Sequence, residues 1–289
     1  MESITKSSAN IDPQRIKALA LDLDGTVLAP GAGMSERTAA ALKGCLDRGI
    51  RVIFCTGRAV ASAERYRAVI GAAGPMVCYN GAEVVEMPGG DVLGATLLAR
   101  EAVDFCLDLA RRMGVYFQVY FPKTDRTGEI LMADHDAPEA VMYRNHTGLQ
   151  PVFGDVKAAL AAPGITGCIK VMFLTEQAVM DRIRVLVRER FGERVYIAQT
   201  QPTFLEVMDA GVSKGKGLAI AIEQLGLSAN EVLAIGDEEN DLPMFAVAGY
   251  TAAPGNAKEP VRRAAQRVIG ACGDDGVAVF LEELFDLGR

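Results

Sequence analysis

The sequence predicts an α/β protein whose doubly wound, Rossmann-like parallel sheet is interrupted by an inserted α+β domain. Two observations lead to this fold class. Three short apolar segments, each ending in Gly, Asp or Thr, alternate with segments of helical character, as in parallel α/β sheets. A long central stretch instead contains many strands and few helices, which is typical of an antiparallel α+β domain. The 289 residues are about twice a common domain length of roughly 150, so both parts fit.

The first two parallel strands are predicted over residues 16–23 and 50–57, where the sequence is rich in Ile, Val, Leu and Ala. The helix between them begins after Ser35, a favourable N-cap, and ends at Gly49, a common helix stop. A helical segment over residues 58–74 follows the second strand. This order of strand and helix predicts a crossover between neighbouring parallel strands.

The third parallel strand is predicted over residues 231–237, with the sequence EVLAIGD. The helix before it covers residues 214–227 and places Leu218, Ile222 and Leu225 at helical spacing. In such sheets the ligand crevice lies outside the carboxyl ends of the strands, so polar residues at these ends are the candidate site.

The central stretch predicts four strands and two long helices. The strands are predicted over residues 115–121, 128–134, 168–175 and 194–200, and the helices over residues 98–114 and 176–192. We therefore expect a discontinuous core domain formed by residues 1–82 and 206–289. Residues 83–205 are expected to form an inserted α+β domain between the two parts of this core.

Composition excludes several classes of protein. The net charge is −7 and the pI is about 5.1, which argues against a nucleic-acid partner because phosphate contacts need a basic surface. No apolar run approaches the roughly 20 residues that span a bilayer, and the N-terminus has no apolar core of a signal peptide. Six scattered cysteines without CxxC spacing predict buried free thiols. We expect a cytoplasmic protein without a membrane partner.

The strand ends carry an oxygen-rich set of side chains. The motif DLDGT presents Asp22 and Asp24 on the same side of a strand, about 7 Å apart. Thr56 ends the second strand, and Lys214 opens the helix before the third. The motif GDEEND follows the third strand and supplies further carboxylates. Carboxylate and carbonyl oxygens suit Mg²⁺, and a carboxylate beside Mg²⁺ can act as a nucleophile toward phosphorus.

These motifs, in this order, resemble the four motifs of the haloacid dehalogenase superfamily of phosphatases. The segments NGAEV, LEVMDAGVSKGKGL and PGNAKEP resemble its Cof-type, class IIB branch. The resemblance covers about residues 16–84 and 205–280 of the core. It implies a Mg²⁺-dependent phosphatase that works through a phospho-aspartyl intermediate, with residues 83–205 as a cap domain that determines substrate specificity.

The resemblance also implies a role for each site residue. Asp22 would be the nucleophile and a Mg²⁺ ligand, and Asp24 would be the general acid and base, with its backbone carbonyl also reaching Mg²⁺. Asp237 would bind the metal ion and Asp241 would support the metal ligands. The implied phosphate-binding residues are Thr56, Gly57, Lys214, Asn240 and Asn256. Asn240 and Asn256 face either the phosphate or the cap side, and Arg58 either pairs with an anion or caps its own helix.

The expected substrate is a small phosphorylated metabolite, such as a sugar phosphate, and the expected assembly is a monomer or a homodimer. Two alternatives stay open. A sugar phosphomutase would need cap arginines that hold a second phosphate or sugar, for which Arg126 and Arg144 are the candidates. A metabolite-binding regulator could keep the fold without turnover, although the retained Asp24 argues against it.

Overall fold

The structure, a computed structural model, describes residues 11–122 and 130–287. The chain divides into two compact units. One contains the chain up to Gly94 together with the chain from Ser213 onward, and the other contains Ala95–Val212. Within the described ranges, none of the helices combines the length and the apolar character needed to cross a membrane.

The first unit is built on a parallel sheet of five strands in the order β16-β15-β14-β1-β2. The strands are β1 (Ala18–Leu21), β2 (Arg51–Phe54), β14 (Val232–Ile235), β15 (Tyr250–Pro254) and β16 (Arg267–Ile269). Strand β1 pairs with β14 on one side and with β2 on the other, so that Ala20 lies opposite Ala234 and Ile53. The predicted α/β class with a parallel sheet is confirmed.

A three-stranded sheet lies beside β2. It consists of β3 (Gly74–Cys78), β4 (Glu83–Met87) and β5 (Asp91–Ala95). A parallel bridge between Cys55 and Val77 joins β3 to the end of β2. Because β4 pairs with β3, the first unit continues to Gly94, whereas the sequence predicted a boundary after residue 82.

Six helices are described in the first unit. They are α1 (Glu36–Asp47), α2 (Val60–Ile70), α7 (Lys214–Gln224), α8 (Leu242–Val247), α9 (Glu259–Ala264) and α10 (Gly276–Phe285). As predicted, Ser35 caps α1, and its hydroxyl accepts a hydrogen bond from the backbone N–H of Thr38 at 3.0 Å. Ser213 caps α7 in the same way and thereby fixes the backbone immediately before Lys214.

The second unit contains a six-stranded sheet in the order β12-β13-β11-β7-β8-β9 and a short pair of β10 and β6. The strands are β6 (Leu98–Ala99), β7 (Tyr116–Phe121), β8 (Ile130–Ala133), β9 (Val152–Phe153), β10 (Gly167–Cys168), β11 (Lys170–Leu174), β12 (Val195–Gln201) and β13 (Phe204–Asp209). The sequence prediction started the core again at residue 206. The structure instead places β13 between β11 and β12, so this unit extends to Val212.

Helices cover one face of the six-stranded sheet. They are α3 (Arg100–Met113), α5 (Val156–Leu160) and α6 (Gln177–Phe191), whereas α4 (Pro138–Thr147) packs its Tyr143 ring against Tyr120 and Phe204 on the opposite face. Alternate residues of β7 and β11, such as Val119 and Val171, pack in one apolar core with buried residues of α3 and α6.

The opposite face of this sheet carries buried polar residues. The ammonium of Lys170 in β11 lies 2.8 Å from Oε1 of Glu206 in β13, and both side chains are at least nine-tenths buried. The hydroxyl of Thr200 also donates to Oε1 of Glu206, at 3.1 Å, and the Lys170 ammonium lies 4.6 Å from the centre of the Tyr120 ring. The pair satisfies two charges that would be costly to bury alone.

We expect Lys170→Met to destabilise the protein by about 3–5 kcal/mol, because the Glu206 carboxylate would stay buried without its cation. The double variant Lys170→Met, Glu206→Leu is expected to recover most of this loss, since no buried charge remains. Urea unfolding followed by circular dichroism measures both values. A double variant as unstable as the single one would contradict the ion-pair explanation.

Candidate active site

The carboxyl ends of three parallel strands meet at one edge of the first unit's sheet. Asp22 directly follows β1, Thr56 follows β2, and Asp237 follows β14. Lys214 is the first residue of α7, whose N-terminus reaches the same edge. The structure therefore brings together residues that are separated by up to about two hundred positions in the sequence.

Lys214 is the centre of this site. Its side chain is 2% exposed, and its ammonium donates to Oδ1 of Asp22 at 2.5 Å and to Oδ1 of Asp241 at 2.6 Å. Burial alone would lower the pKa of Lys214, but the charges of Asp22 and Asp241 together raise it. Lys214 is thus held as a buried cation.

Asp241 uses both carboxylate oxygens for support. Oδ2 accepts hydrogen bonds from the backbone N–H groups of Asp237 and Glu238, each at 2.9 Å, and Oδ1 accepts from Lys214. The side chain is fully buried. Asp241 therefore fixes the loop after β14 and the position of the lysine at the same time.

Asp237 lies against the turn of the DLDGT motif. The hydroxyl of Thr26 donates to its Oδ1 at 2.9 Å. Gly25 has a φ of +85°, and a Cβ atom there would lie 2.3 Å from Oδ2 of Asp237. Only glycine tolerates both the backbone conformation and this close approach.

The buried part of this site contains more carboxylates than cations. Asp22, Asp237 and Asp241 are buried around the single ammonium of Lys214. Burial, with a further contribution from Asp241, raises the pKa of Asp22 well above its usual value and raises that of Asp237 to about 6. Each shift shows that a full negative charge is unfavourable there without another positive group.

The donor set fits a hard divalent cation. Oxygens of Asp22, Asp237 and Asp241 lie within 4.8 Å of one another. Asp241 is already bonded through both oxygens, so Asp22 and Asp237 are the side chains that could turn an oxygen toward the ion. An all-oxygen set of this kind suits Mg²⁺ better than a soft metal.

Asp24 extends away from the buried carboxylates and pairs with an arginine. The Arg58 guanidinium donates to both of its oxygens, from Nε at 2.7 Å and from Nη2 at 2.5 Å. The Asp24 side chain is 57% exposed. Arg58 also lies over the Tyr66 ring, with 5.3 Å between Cζ and the ring centre. Of the two roles that the sequence left open for Arg58, the structure shows pairing with an anion.

The remaining predicted residues line the turns around this edge. Thr56 is fully buried, and its hydroxyl accepts from the backbone N–H of Arg58 at 3.1 Å. Asn240 donates from Nδ2 to Oδ1 of Asn80 at 3.0 Å. Gly57 lies against the amide of Asn80, because a Cβ on Gly57 would be 3.1 Å from that oxygen.

Asn256 connects two loops of the first unit. Its Nδ2 donates to the carbonyl of Gly25 at 2.8 Å, and its Oδ1 accepts from the backbone N–H of Cys272 at 2.7 Å. The amide therefore supports the DLDGT turn through backbone bonds.

The sequence offered two arginines of the inserted domain as candidates for holding a second phosphate or sugar. Arg144 belongs to α4 of the second unit and donates to Gln150 at 2.8 Å, while Arg126 lies outside the described residues. Thr26 and Asn80 were not assigned roles from the sequence. Their position within the motifs DLDGT and NGAEV was the available signal.

Comparison with known proteins agrees with the motifs. Residues 19–281 match the family model described as haloacid dehalogenase-like hydrolase. The chain is 28% identical over 275 residues to the HMP-PP phosphatase of Serratia proteamaculans, which covers 91% of this chain and 93% of that protein. It is 31% identical over 269 residues to a protein of Arabidopsis thaliana named Endoribonuclease YBEY, chloroplastic. That match covers 89% of this chain but only 44% of the Arabidopsis protein.

Solved structures share the whole fold. The TM0651 protein of Thermotoga maritima is 27% identical, with a TM-score of 0.82 over 93% of this chain and 97% of that one. The subclass IIB sugar phosphatase BT4131 has the same fold at 20% identity, with a TM-score of 0.71 over 93% of this chain and 99% of that one. The family model matches most of the sequence, and so the chain belongs to the haloacid dehalogenase-like hydrolase family.

Proposed function

We propose that this protein is a Mg²⁺-dependent phosphatase that hydrolyses small phosphomonoesters through a phospho-aspartyl intermediate. The observation that carries the proposal is the cluster of Asp22, Asp237 and Asp241 around Lys214, with the exposed carboxylate of Asp24 two residues from Asp22. The family is a hydrolase family, and a relative that matches along nearly its whole length is named a phosphatase.

In the first step, a carboxylate oxygen of Asp22 attacks phosphorus as the bond to the leaving oxygen breaks. Lys214 offsets negative charge on the phosphoryl oxygens, and the Thr56 hydroxyl and the backbone N–H of Gly57 donate hydrogen bonds to them. Asp24 gives its proton to the leaving oxygen, and the alcohol departs.

In the second step, Asp24, now ionised, takes a proton from water, and the hydroxide attacks phosphorus of the acyl phosphate. The bond between Asp22 and phosphorus breaks, which releases inorganic phosphate and restores the carboxylate. Asp24 regains its proton in this step. The exposed position of Asp24 suits a residue that exchanges protons with both an alcohol and water.

Asp22, Asp237 and the backbone carbonyl of Asp24 would hold the metal ion. When bound, Mg²⁺ supplies positive charge that counters the charge of the phosphoryl group and the aspartates. Lys214 keeps Asp22 oriented, and Asp241 keeps Lys214 in place. The hydrogen bonds that orient Asp22 and hold Lys214 all lie within the first unit.

The substrate class follows from the site and from the relatives. One buried ammonium and a divalent cation suit a single terminal phosphoryl group, as in a sugar phosphate. The net charge of −7 disfavours an RNA substrate, although one relative is named an endoribonuclease. The alternatives of a phosphomutase and a non-catalytic regulator have no contact in the described residues that favours them.

We expect phosphate release from at least one ester of a panel of small phosphomonoesters and HMP-PP, in the presence of Mg²⁺ and not in EDTA. Asp22→Asn is expected to lose activity by at least about a thousandfold, because the amide cannot act as the nucleophile. Asp47→Asn, an exposed site at the end of α1, is the matched control and should keep wild-type activity.

Three outcomes of that experiment would overturn the proposal. Release that persists in Asp22→Asn would exclude the phospho-aspartyl route. Interconversion of sugar phosphates without release would favour the mutase, and binding of esters without any turnover would favour the regulator. An RNA-cleavage assay on the same preparations tests the activity named for the Arabidopsis relative.

A second expectation concerns the excess of buried negative charge. Mg²⁺ at about a hundred times its dissociation constant should stabilise the wild type by about 2.7 kcal/mol. Asp237→Asn should lose most of this response and yet be at least as stable as the wild type without metal, because a repelling charge has been removed. Glu238→Gln, at a half-buried neighbour whose carboxylate pairs with Lys258, is the control. Thermal unfolding of the three proteins with Mg²⁺ or EDTA gives six values, and an undiminished response in Asp237→Asn would contradict the proposed ligand.

A third expectation concerns the arginine that holds Asp24. Arg58→Met should lower kcat/KM for the preferred ester by roughly tenfold, because Asp24 would lose its two charge-assisted hydrogen bonds and its fixed orientation. Arg65→Met is the control, since Arg65 lies over the same Tyr66 ring at 4.7 Å. Equal effects of the two substitutions would assign the loss to ring packing instead of Asp24.

A further inference from the structure

An unusual turn lies between β3 and β4. Tyr79, Asn80 and Gly81 have φ angles of 50°, 58° and 95°, so three consecutive residues adopt the left-handed region. This region is unfavourable for a bulky residue such as tyrosine and is tolerated better by asparagine and glycine. Tyr79 and Asn80 are nevertheless buried. Strain of this kind persists only where surrounding contacts impose it, and it is concentrated at functional sites.

The turn contacts the loop that carries Thr56. The backbone N–H of Asn80 donates to the carbonyl of Thr56 at 2.9 Å, and that of Tyr79 donates to the carbonyl of Arg58 at 3.0 Å. The Asn80 amide also lies against Gly57. Two backbone bonds and one side-chain contact thus fix the Thr56–Arg58 loop to this turn.

The same turn also contacts the start of α7. A Cβ on Gly81 would lie 2.1 Å from the carbonyl oxygen of Ser213 and 3.2 Å from the backbone nitrogen of Lys214. The backbone of Gly81 therefore packs directly on the residue pair that begins the helix. Glycine is required there for both its φ and this approach.

The third contact is with the loop after β14. Oδ1 of Asn80 accepts the hydrogen bond from Nδ2 of Asn240, and Oδ1 of Asn240 is itself buried without a hydrogen-bond partner. Within the described residues, the bond to Asn80 is thus the one hydrogen bond that the Asn240 side-chain amide makes. The orientation of Asn240 depends on Asn80.

We propose that Asn80 is a positioning residue, which sets the orientation of Asn240 and couples it to the Thr56 and Lys214 loops for phosphate binding. This inference rests on the proposed function. Glycine could adopt the same backbone conformation but has no amide, whereas most other residues would strain the turn. Asparagine meets both requirements.

The test is a double-mutant cycle on phosphate affinity. We measure the dissociation constant of inorganic phosphate with Mg²⁺ by calorimetry, and KM and kcat for the preferred ester, in Asn80→Gly, Asn240→Ala and the double variant. Each single variant should weaken phosphate binding by roughly three- to tenfold, the effect of one hydrogen bond. The double variant should be no weaker than either single one, because both remove the same bond. KM should rise more than kcat falls.

Asp286→Gly is the matched control. Asp286 has a φ of 55° at the end of α10, so the substitution replaces another left-handed residue by glycine without touching these loops. It should leave phosphate affinity unchanged. If Asn80→Gly does not fold, Asn80→Asp keeps the acceptor oxygen, and Asn240→Ala in that background should still weaken phosphate binding by the full factor.

Wild-type affinity in Asn80→Gly, or effects of Asn80→Gly and Asn240→Ala that add, would overturn the inference. These results are separate from a failure of the proposed function, in which the wild type itself releases no phosphate from any ester. An active wild type with additive variants leaves the phosphatase and removes only the role of Asn80.

Discussion

The shared ammonium of Lys214 is the interaction on which the rest of the site depends. It lies between the carboxylates of Asp22 and Asp241, and Asp241 in turn holds the backbone of the loop after β14. Asp22, the proposed nucleophile, and the loop that carries Asp237, a proposed metal ligand, are thereby fixed by one buried group. Removing the lysine would leave two buried carboxylates without their cation, so the same side chain serves stability and the proposed chemistry.

The parallel sheet makes this cluster possible because the carboxyl ends of all its strands lie at the same edge. Asp22 and Asp237 follow neighbouring strands that pair in register, and so their side chains meet without any long loop. The close approach of Asp237 to the backbone of Gly25 then brings its carboxyl group beside that of Asp22. The resulting repulsion is the physical reason to expect a divalent cation at this position.

Much of this arrangement could be predicted from the sequence. The DLDGT motif, Lys214 and the GDEEND motif each follow or precede a clear apolar strand, and their positions place them at one edge. The pairing of Arg58 with Asp24 could not be predicted, because it depends on the side-chain conformation of two residues that are far apart in sequence. The predicted boundary at residue 206 differs from the end of the second unit at Val212, because the sequence of β13 is compatible with a strand of either sheet and only its pairing with β11 and β12 assigns it. The left-handed turn at Asn80 could not be predicted either, because it is held by contacts with three segments that are distant in the sequence.

The division of the chain has a consequence for how the protein is synthesised. The second unit is one continuous segment, Ala95–Val212, whereas the first unit needs residues from both sides of it. Strand β1 has β2 as a partner early, but its other neighbour, β14, leaves the ribosome only after the whole inserted unit. One edge of the buried strand β1 therefore stays unpaired during translation until β14 is made, and the inserted unit can complete its own sheet first.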